Sequence, residues 1–366
     1  MRKYKGSRRN SCANLRQPYS GLMTQTRPTL RAVAERAGTS IPTVSKVLRG
    51  GTDVSASMRQ RVLTAAAEVG YQRTSKGASS SRARALPPLV DLVMSAVDNS
   101  WATRALGGVE AAATEVGMSV IITIAKNDGE WVARLMRRSS EGAVIVGVGP
   151  TSTQLAALQA AAIPVVLVDP VRRPPDEIAS VGSTNWEGGY SAGRHLVGLG
   201  HRRIAVIAGG PGYLYSSARV DGFRSALREA GVTVPDALAG DADWLRSRAY
   251  EIARPMLLLD ERPTAIFACS ESMAFGVYDA AESLGIRIPD DLSVIGFDDL
   301  PEARWATPPM STIRQPTADM GAVALNLLAD IMSAGPGRGS QGEVSRIELA
   351  TQLVARESTA VAPVAT

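Results

Sequence analysis

The chain of 366 residues has few of the residue types that build metal centres, disulfide scaffolds and many catalytic sites. It contains two cysteines, Cys12 and Cys269, and two histidines, His195 and His201. Neither histidine belongs to a metal-binding motif such as HExxH, and two cysteines are too few for the disulfide framework of a secreted domain. We therefore expect no metal ligand set, no cofactor and no disulfide-stabilised fold.

Long hydrophobic runs are also absent. The longest, such as residues 164–168, have the length of a strand, whereas a membrane helix needs about 20 apolar residues. The basic N-terminus is not followed by the apolar segment of a signal peptide. With 45% hydrophobic and 20% charged residues, the composition predicts a globular protein of two or three domains, and we expect it in the cytoplasm.

Acidic residues are missing from the first 28 positions, which hold seven lysines and arginines. In residues 1–85, seventeen basic and three acidic residues give a net charge of +14; in residues 86–366, twenty-three basic and thirty-two acidic residues give −9. A basic module on an acidic body indicates nucleic-acid binding, because phosphate neutralisation dominates such affinity. A solvated basic tail is the alternative for residues 1–28, with Met23 as an alternative start.

The segment TLRAVAERAGTSIPTVSKVLRG, residues 29–50, predicts two short helices joined by a tight turn. Before Gly38, apolar residues recur at the i, i+3, i+4, i+7 spacing of an amphipathic helix. Ser40 is placed to cap the second helix, in whose first turn a proline is tolerated. A third helix, predicted from Ser55, completes a small helical domain.

The second of these helices presents polar and basic residues on one face, and a helix of this size fits the major groove of DNA. We predict that this region contacts DNA. The alternative is a three-helix bundle with ordinary solvated basic residues. The residues predicted to contact DNA here are Arg31, Ser40, Ile41, Pro42, Thr43, Ser45, Lys46, Arg49 and Ser55.

The rest of the chain alternates short β-branched runs with helical patterns, which indicates parallel sheets covered by helices. In such sheets ligands bind beyond the carboxyl ends of the strands, so Asp169 and Asp298, which follow two of the runs, are candidate ligand contacts. We expect two lobes that enclose a ligand between them. The predicted strands are residues 89–94, 119–124, 143–146, 165–168, 204–207, 265–268 and 292–296.

The sequence resembles the LacI/GalR family of bacterial transcription regulators, from residues 29–71 through SSARVDGFRSAL and GFDD to the ARES motif at residues 355–358. The resemblance implies a homodimer with paired DNA-reading heads and a core like a periplasmic sugar-binding protein. Its base-reading positions fall on Ile41, Pro42 and Lys46. Lysine stands where the family usually has arginine, so a single-point contact replaces a forked one.

This resemblance sets the domain boundaries that we predict. The segments are a basic flexible tail (1–28), a helix-turn-helix domain (29–73), a hinge or linker (74–87) and a two-lobed effector-binding and dimerisation domain (88–366). The fold class is therefore a small all-α domain followed by a two-lobed α/β core with parallel sheets.

The linker departs from the family pattern. Family members form a hinge helix here on DNA and insert a leucine into the minor groove, but the corresponding residue is Ser80. Our hypothesis is that Arg82 and Arg84 contact the minor groove or phosphates instead, since arginine favours narrow minor grooves. A disordered tether is the alternative.

The resemblance also implies an effector site. Arg219 matches the family's pocket arginine, whose guanidinium suits vicinal hydroxyls or a carboxylate, and Asp298 matches the pocket aspartate. Trp101 and Trp244 align with aromatic pocket positions, and Ser270 with its neighbour Glu271 replaces a usual Asn-Asp pair. The predicted effector-binding residues are Trp101, Asp169, Arg219, Trp244, Ser270 and Asp298.

Other function classes fit the sequence less well. A sugar-binding module of the transport type would share the two-lobed core but would need a signal peptide and no basic head. An enzyme would need a catalytic constellation, and the glycines around Pro211 match neither a P-loop nor GxGxxG. We predict an effector-controlled, DNA-binding transcription regulator, expected to be a repressor, with a mono- or oligosaccharide effector and a purine or other small metabolite as the runner-up.

Overall fold

The computed structural model describes residues 29–48, 55–69, 87–126, 129–138, 140–334 and 345–363. The chain divides into two compact units, Met1–Ala85 and Leu86–Thr366. The helices are α1 (Leu30–Ala37), α2 (Ile41–Leu48), α3 (Ala56–Glu68), α4 (Ser100–Val116), α5 (Glu130–Arg138), α6 (Ser152–Ala160), α7 (Asn185–Gly198), α8 (Leu214–Glu229), α9 (Arg246–Leu257), α10 (Glu271–Ser283), α11 (Pro301–Trp305) and α12 (Thr317–Ala334). The strands are β1 (Leu89–Met94), β2 (Ser119–Ile124), β3 (Gly142–Val146), β4 (Val165–Val168), β5 (Ala179–Ser183), β6 (Ile204–Ala208), β7 (Ala239–Asp241), β8 (Ala265–Ala268), β9 (Ser293–Asp298), β10 (Ser311–Arg314), β11 (Arg346–Leu349) and β12 (Gln352–Val354).

We call the described part of the first unit, residues 29–48 and 55–69, the helical head. Thr29 caps α1 by accepting a hydrogen bond from the backbone N of Ala32 at 3.2 Å, and Gly38 ends the helix in the left-handed conformation (φ 60°). The three helices bury a small apolar core, which confirms the predicted apolar stripes. This core contains Val33, Ala34, Ala37, Val44, Val47, Val62, Ala65 and Ala66.

The second unit contains two six-stranded sheets, which define its two lobes. The first-lobe sheet has the order β11-β5-β4-β3-β1-β2 and is entirely parallel. The second-lobe sheet has the order β12-β10-β9-β8-β6-β7 and is parallel except for the antiparallel pair of β10 and β12. The predicted two-lobed α/β fold with parallel sheets is confirmed.

The chain passes between the lobes in three crossover segments: from β5 to α7, from β10 to α12, and from β11 to β12. Helix α12 follows a second-lobe strand but packs against α4 in the first lobe. Two of the segments are bonded together, since the backbone N of Thr351 donates to Oγ1 of Thr184 at 2.9 Å. The lobes are therefore joined at a narrow, hydrogen-bonded hinge.

Helices α7 and α8 pack against each other at backbone distance. A Cβ atom on Gly189 of α7 would lie 1.9 Å from the carbonyl oxygen of Arg219, and one on Gly222 of α8 would lie 1.9 Å from the carbonyl oxygen of Trp186. Only glycine fits at either position. This reciprocal contact fixes the backbone of Arg219 relative to that of Trp186.

The two histidines and Cys269, whose residue types are rare in this sequence, have structural roles. His201 is buried, and its ring nitrogens lie within hydrogen-bond distance of Thr264 and Ser293; His195 is bonded to Thr359. Cys269 is a buried free thiol, and burial raises its pKa to about 12. Within the described ranges, no group of three or more His, Cys, Asp or Glu side chains is arranged to hold a metal, and no helix has the length and apolarity to cross a membrane.

Candidate DNA-binding surface and effector site

Helix α2 has a buried face and an exposed face. Val44 and Val47 are buried in the core of the helical head, whereas Ile41, Pro42 and Lys46 are exposed. Ile41 is 44% exposed. Thr43 and Ser45 are half-buried beside this face. The exposed face therefore matches the DNA-contacting set predicted for this helix.

Three further residues of that set lie at helix ends or on α1. The hydroxyl of Ser40 accepts from the backbone N of Thr43 at 3.4 Å, and that of Ser55 accepts from the backbone N of Met58 at 3.4 Å, so both serines cap helices. Arg31 forms an exposed ion pair with Glu35 at 3.2 Å. Arg49, Arg82 and Arg84 lie outside the described residues. DNA contact by these six residues and by the exposed face of α2 stays a prediction.

A second candidate site lies between the lobes, where the carboxyl ends of both sheets meet. Asp169 follows β4 of the first lobe, and Asp298 ends β9 of the second. Arg219 enters from α8 and is 3% exposed. We call Asp169, Asn185, Arg219, Asp298 and Gln315 the polar cluster, because their side chains are linked by hydrogen bonds and an ion pair.

Arg219 organises the second-lobe half of the polar cluster. Its Nε donates to Oδ1 of Asn185 at 2.7 Å, and its Nη1 donates to the carbonyl oxygen of Cys269 at 2.6 Å. Nη1 also lies 3.7 Å from Oδ1 of Asp298, and the guanidinium carbon lies 3.7 Å from the ring centroid of Phe297. The guanidinium is therefore held between a carboxylate, an amide and an aromatic face.

Gln315, in the crossover segment after β10, connects the two lobes, and it was not among the predicted site residues. Its amide nitrogen donates to Oδ2 of Asp169 at 2.6 Å and to Oγ of Ser183 at 3.0 Å. Its amide oxygen accepts from Nε1 of Trp101 at 3.0 Å and from Nη2 of Arg219 at 3.4 Å. Every polar atom of this side chain is used in a contact across the cleft.

Burial sets the protonation of the acidic groups in the cleft. Burial raises the pKa of Asp298 to about 7, opposed by Arg219 and reinforced by Asp169. Burial also raises the pKa of Asp169, again opposed by Arg219. One guanidinium therefore faces two carboxyl groups whose pKa values are both raised, and near neutral pH Asp298 can act as a hydrogen-bond acceptor or as an acidic donor.

Asp298 and Asp299 are adjacent in the sequence but point to different partners. Asp299 is hydrogen-bonded by Arg356 and, at 2.7 Å, by Nε of Arg314. Burial acts to raise the pKa of Asp299, but these two arginines outweigh it, and the pKa lies below its ordinary value. Asp299 therefore anchors the second lobe, while Asp298 faces the cleft.

Aromatic side chains flank the polar cluster. Trp244 lies against Gly209, its ring centroid is 5.2 Å from that of Tyr215, and both rings lie near the Arg219 guanidinium. Nε1 of Trp244 is buried without a hydrogen-bond partner among the described residues, so it is a donor available to a ligand. Trp101 reaches the same cluster through Gln315. The structure thus brings together both tryptophans predicted for the site.

Backbone strain is concentrated at this site. Apart from Ala162, the described non-glycine residues with positive φ are Asp169, Asp243, Trp244, Asp298 and Asp299. Such conformations cost about 1–3 kcal/mol each and are retained where surrounding contacts enforce them, often at ligand sites. Surrounding contacts therefore hold both cluster aspartates and Trp244 in strained conformations at this site.

Ser270 and Glu271 have local bonding partners. Oγ of Ser270 accepts from the backbone N of Met273 and caps α10, so its contact with an effector stays a prediction. Glu271 accepts from Oγ1 of Thr312 at 2.8 Å and from the backbone N of Leu300 at 2.9 Å. Burial, reinforced by Asp298, raises the pKa of Glu271 to about 8. This buried acid was not among the predicted contacts.

Comparison with known proteins agrees with this architecture. Residues 29–74 match the bacterial regulatory proteins of the lacI family, and residues 194–359 match a periplasmic binding protein-like domain. Over 344 residues, the chain is 30% identical to the HTH-type transcriptional repressor PurR of Klebsiella pneumoniae (strain 342), covering 92% of this chain and 98% of that repressor.

Two solved structures extend the comparison. The complex of the transcriptional regulator CelR with cellobiose is 30% identical, with a TM-score of 0.67, and the match covers 91% of this chain and 100% of that one. The lac repressor dimer bound to operator and the anti-inducer ONPF is 25% identical, with a TM-score of 0.65 and coverage of 92% and 100%. The chain therefore belongs to the lacI family of bacterial regulatory proteins, as an effector-controlled, DNA-binding transcription regulator and not an enzyme.

Proposed function

We propose that this regulator is a cytoplasmic homodimeric repressor whose operator affinity changes when a sugar enters the cleft between its lobes. The observation that carries the proposal is the polar cluster at the carboxyl ends of both sheets. A guanidinium and two carboxyl groups beside aromatic rings suit the vicinal hydroxyls and the C–H face of a sugar. CelR, a similar regulator, has a structure with bound cellobiose.

Within this site, Arg219 and Asp298 bind sugar hydroxyls, with Asp169 bonding from the first lobe. Trp101 and Trp244 cover the ring, and Ser270 supplies a hydroxyl at the start of α10. Support comes from the burial of Arg219, Asp169 and Asp298 and from their shared partner Gln315. Entry of a ligand replaces some of these internal bonds with bonds to its own hydroxyls.

DNA binding is assigned to residues 29–73, with the exposed face of α2 in the major groove. Ile41, Pro42 and Lys46 contact base edges, and Arg31, Ser40, Thr43, Ser45, Arg49 and Ser55 contact bases or phosphates. Arg82 and Arg84, in the linker at 74–87, contact phosphates or the minor groove. Pairing of two heads through residues 88–366 gives recognition of a palindromic site; the lac repressor similar to this chain is a dimer on its operator.

The coupling between effector binding and operator affinity follows from the contacts at the hinge. Gln315 lies in a crossover segment and bonds to Asp169 and Trp101 of the first lobe and to Arg219 of the second. A ligand that competes for these groups binds the open and closed arrangements of the lobes with different affinity. Such differential binding is what shifts a population between two states and thereby changes operator affinity.

The test is fluorescence-anisotropy titration of the full chain with DNA from its own promoter region, at about 50 mM and about 200 mM salt. Each titration is repeated with single neutral sugars and with hypoxanthine and guanine. We expect sequence-specific binding that weakens steeply with salt and shifts with a sugar. A shift with a purine alone would replace the proposed sugar by the runner-up ligand class. Absence of specific DNA binding would contradict the proposal.

A further inference from the structure

A cavity of about 380 Å³ opens beside the polar cluster, bordered by β5, β11, α7 and α8. We call it the outer cavity. Its buried wall includes Asp169 and Asn185 of the cluster, and its exposed rim includes Trp186 and Leu214, which are 42% and 47% exposed. The volume is within the range of about 300–1,000 Å³ found for small-molecule sites. The outer cavity therefore continues the effector site toward solvent.

Trp186 provides a rigid aromatic surface at this rim. Its ring is stacked on that of Tyr190, with centroids 5.2 Å apart and planes inclined by 13°. The hydroxyl of Tyr190 donates to Oε2 of Glu229 at 2.6 Å, which holds the second ring in place. The backbone of Trp186 is fixed against Gly222. An exposed, immobilised indole of this kind suits the C–H face of a sugar ring.

The outer cavity carries charged groups of both signs. Arg173 and Arg346 line it together with Glu187 and Glu348, and Asp169 in the buried wall adds a third carboxyl group, so basic groups are not in excess. Arg346 is also engaged outside the cavity, since its Nη2 donates to Oδ1 of Asp176 at 2.9 Å. This charge distribution favours a neutral hydroxylated ligand over a phosphate or a carboxylate, either of which would need an excess of basic groups.

A second groove, of about 440 Å³, lies between the starts of α4 and α10 and provides a contrast. Its lining includes Phe275 but neither tryptophan nor tyrosine, and it shares with the effector site only Glu271, whose carboxyl group is bonded to Thr312 and Leu300. The outer cavity, by comparison, joins the polar cluster to an exposed indole. It is the better continuation of a sugar site.

We infer that the effector is a neutral disaccharide or longer glycoside, with one ring at the polar cluster and the next in the outer cavity against Trp186. This inference rests on the proposed sugar effector. It assigns Trp186 as the residue that selects for the second ring. Because Trp186 and Arg219 are carried by α7 and α8, both rings bind to the same helix pair.

The experiment is isothermal titration calorimetry of the full chain with glucose, methyl glucoside, ribose, cellobiose and maltose. We expect one of the disaccharides to bind at least about fivefold more tightly than glucose, because its second ring gains an aromatic contact that a monosaccharide lacks. Trp186→Ala should abolish this advantage and leave the monosaccharide affinity unchanged, and Trp186→Phe should restore most of it. Trp305→Ala, at a 75% exposed tryptophan outside the cavity lining, is the matched control.

The outcomes separate the inference from the proposed function. Binding of glucose or ribose with no disaccharide advantage would overturn the inference and leave the sugar effector intact. A disaccharide advantage that persists in Trp186→Ala would also overturn it, because the second ring would then lie elsewhere. Failure of every sugar to bind would overturn the proposed sugar effector itself.

Discussion

The helical head and the interlobe cleft use polar residues in opposite ways. On α2, Ile41 and Lys46 are exposed above a core of small and β-branched residues. In the cleft, Arg219, Asp169 and Asp298 are almost fully buried; Arg219 forms an ion pair with Asp298 and is linked to Asp169 through Gln315. The head therefore presents its functional side chains to a large external partner, while the body keeps its own within a closed network.

This difference has an energetic meaning. An exposed side chain on a helix face contributes little to folding, so replacing it changes partner binding more than stability. A buried charge removed from its partners leaves another charge uncompensated, which costs both stability and binding. We therefore expect substitutions in the helical head to change DNA binding more than stability, and substitutions in the cleft to lower stability as well as ligand binding.

The largest effect is expected from Arg219→Ala. Removal of the guanidinium leaves Asp298 and Asp169 buried without their cation, and we expect a loss of about 3 kcal/mol in the free energy of unfolding, together with loss of the effector response. Urea unfolding measures the first and anisotropy the second. Arg246→Ala, which breaks the exposed bidentate pair with Asp279, is the control and should cost less than about 1 kcal/mol. Equal losses of unfolding free energy in Arg219→Ala and Arg246→Ala would contradict the expected difference between buried and exposed charges.

A smaller effect is expected from Glu271→Gln. The raised pKa means that the folded chain holds a proton that the unfolded chain releases, so stability falls as pH rises from about 4.5 to about 8. The glutamine variant should lose less stability over this interval, by on the order of 2 kcal/mol. Denaturation at pH 5 and pH 9 measures this, with Glu110→Gln on the exposed face of α4 as the matched variant. If the stability of the wild type and of Glu271→Gln had the same pH dependence, Glu271 would not be the group responsible for it.

The smallest change in stability is expected in the head. Lys46→Ala should weaken operator binding about tenfold, since a base or phosphate contact is worth about 1–3 kcal/mol, and should leave the unfolding midpoint unchanged. Lys126→Ala removes the same charge from an exposed position in the body and should not affect operator binding. If both variants weakened binding equally, general charge rather than the α2 face would account for the affinity.

Much of the fold could be predicted from the sequence. The runs at 89–94, 119–124, 165–168 and 265–268 coincide with β1, β2, β4 and β8, because short, mostly apolar and β-branched runs are typical of strands in parallel sheets. The strands β4 and β8 are buried throughout, whereas the edge strand β2 is mostly half-buried. Five strands were not predicted: β5, β7, β10, β11 and β12. These strands are short, and no continuous apolar run marks them. Polar and apolar residues alternate in β11, but over only four positions.

The site was predictable where position after a strand or family resemblance gave a signal. Both led to Asp298, and the structure places it beside Arg219. Gln315 and Asn185 gave no such signal, because a single amide side chain in a crossover segment has no periodicity and no charge. Their importance depends on where three separate crossovers meet, and that is a property of the tertiary fold rather than of any local pattern.

The backbone contact between α7 and α8 has a consequence for ligand length. The carbonyl of Arg219 packs against Gly189, and the carbonyl of Trp186 packs against Gly222, so neither helix can slide along the other without a clash. Opening and closing of the lobes changes the distance from first-lobe groups to Arg219, but the spacing between Arg219 and Trp186 stays constant. This constant spacing within the second lobe selects ligands by length, independently of the state of the hinge.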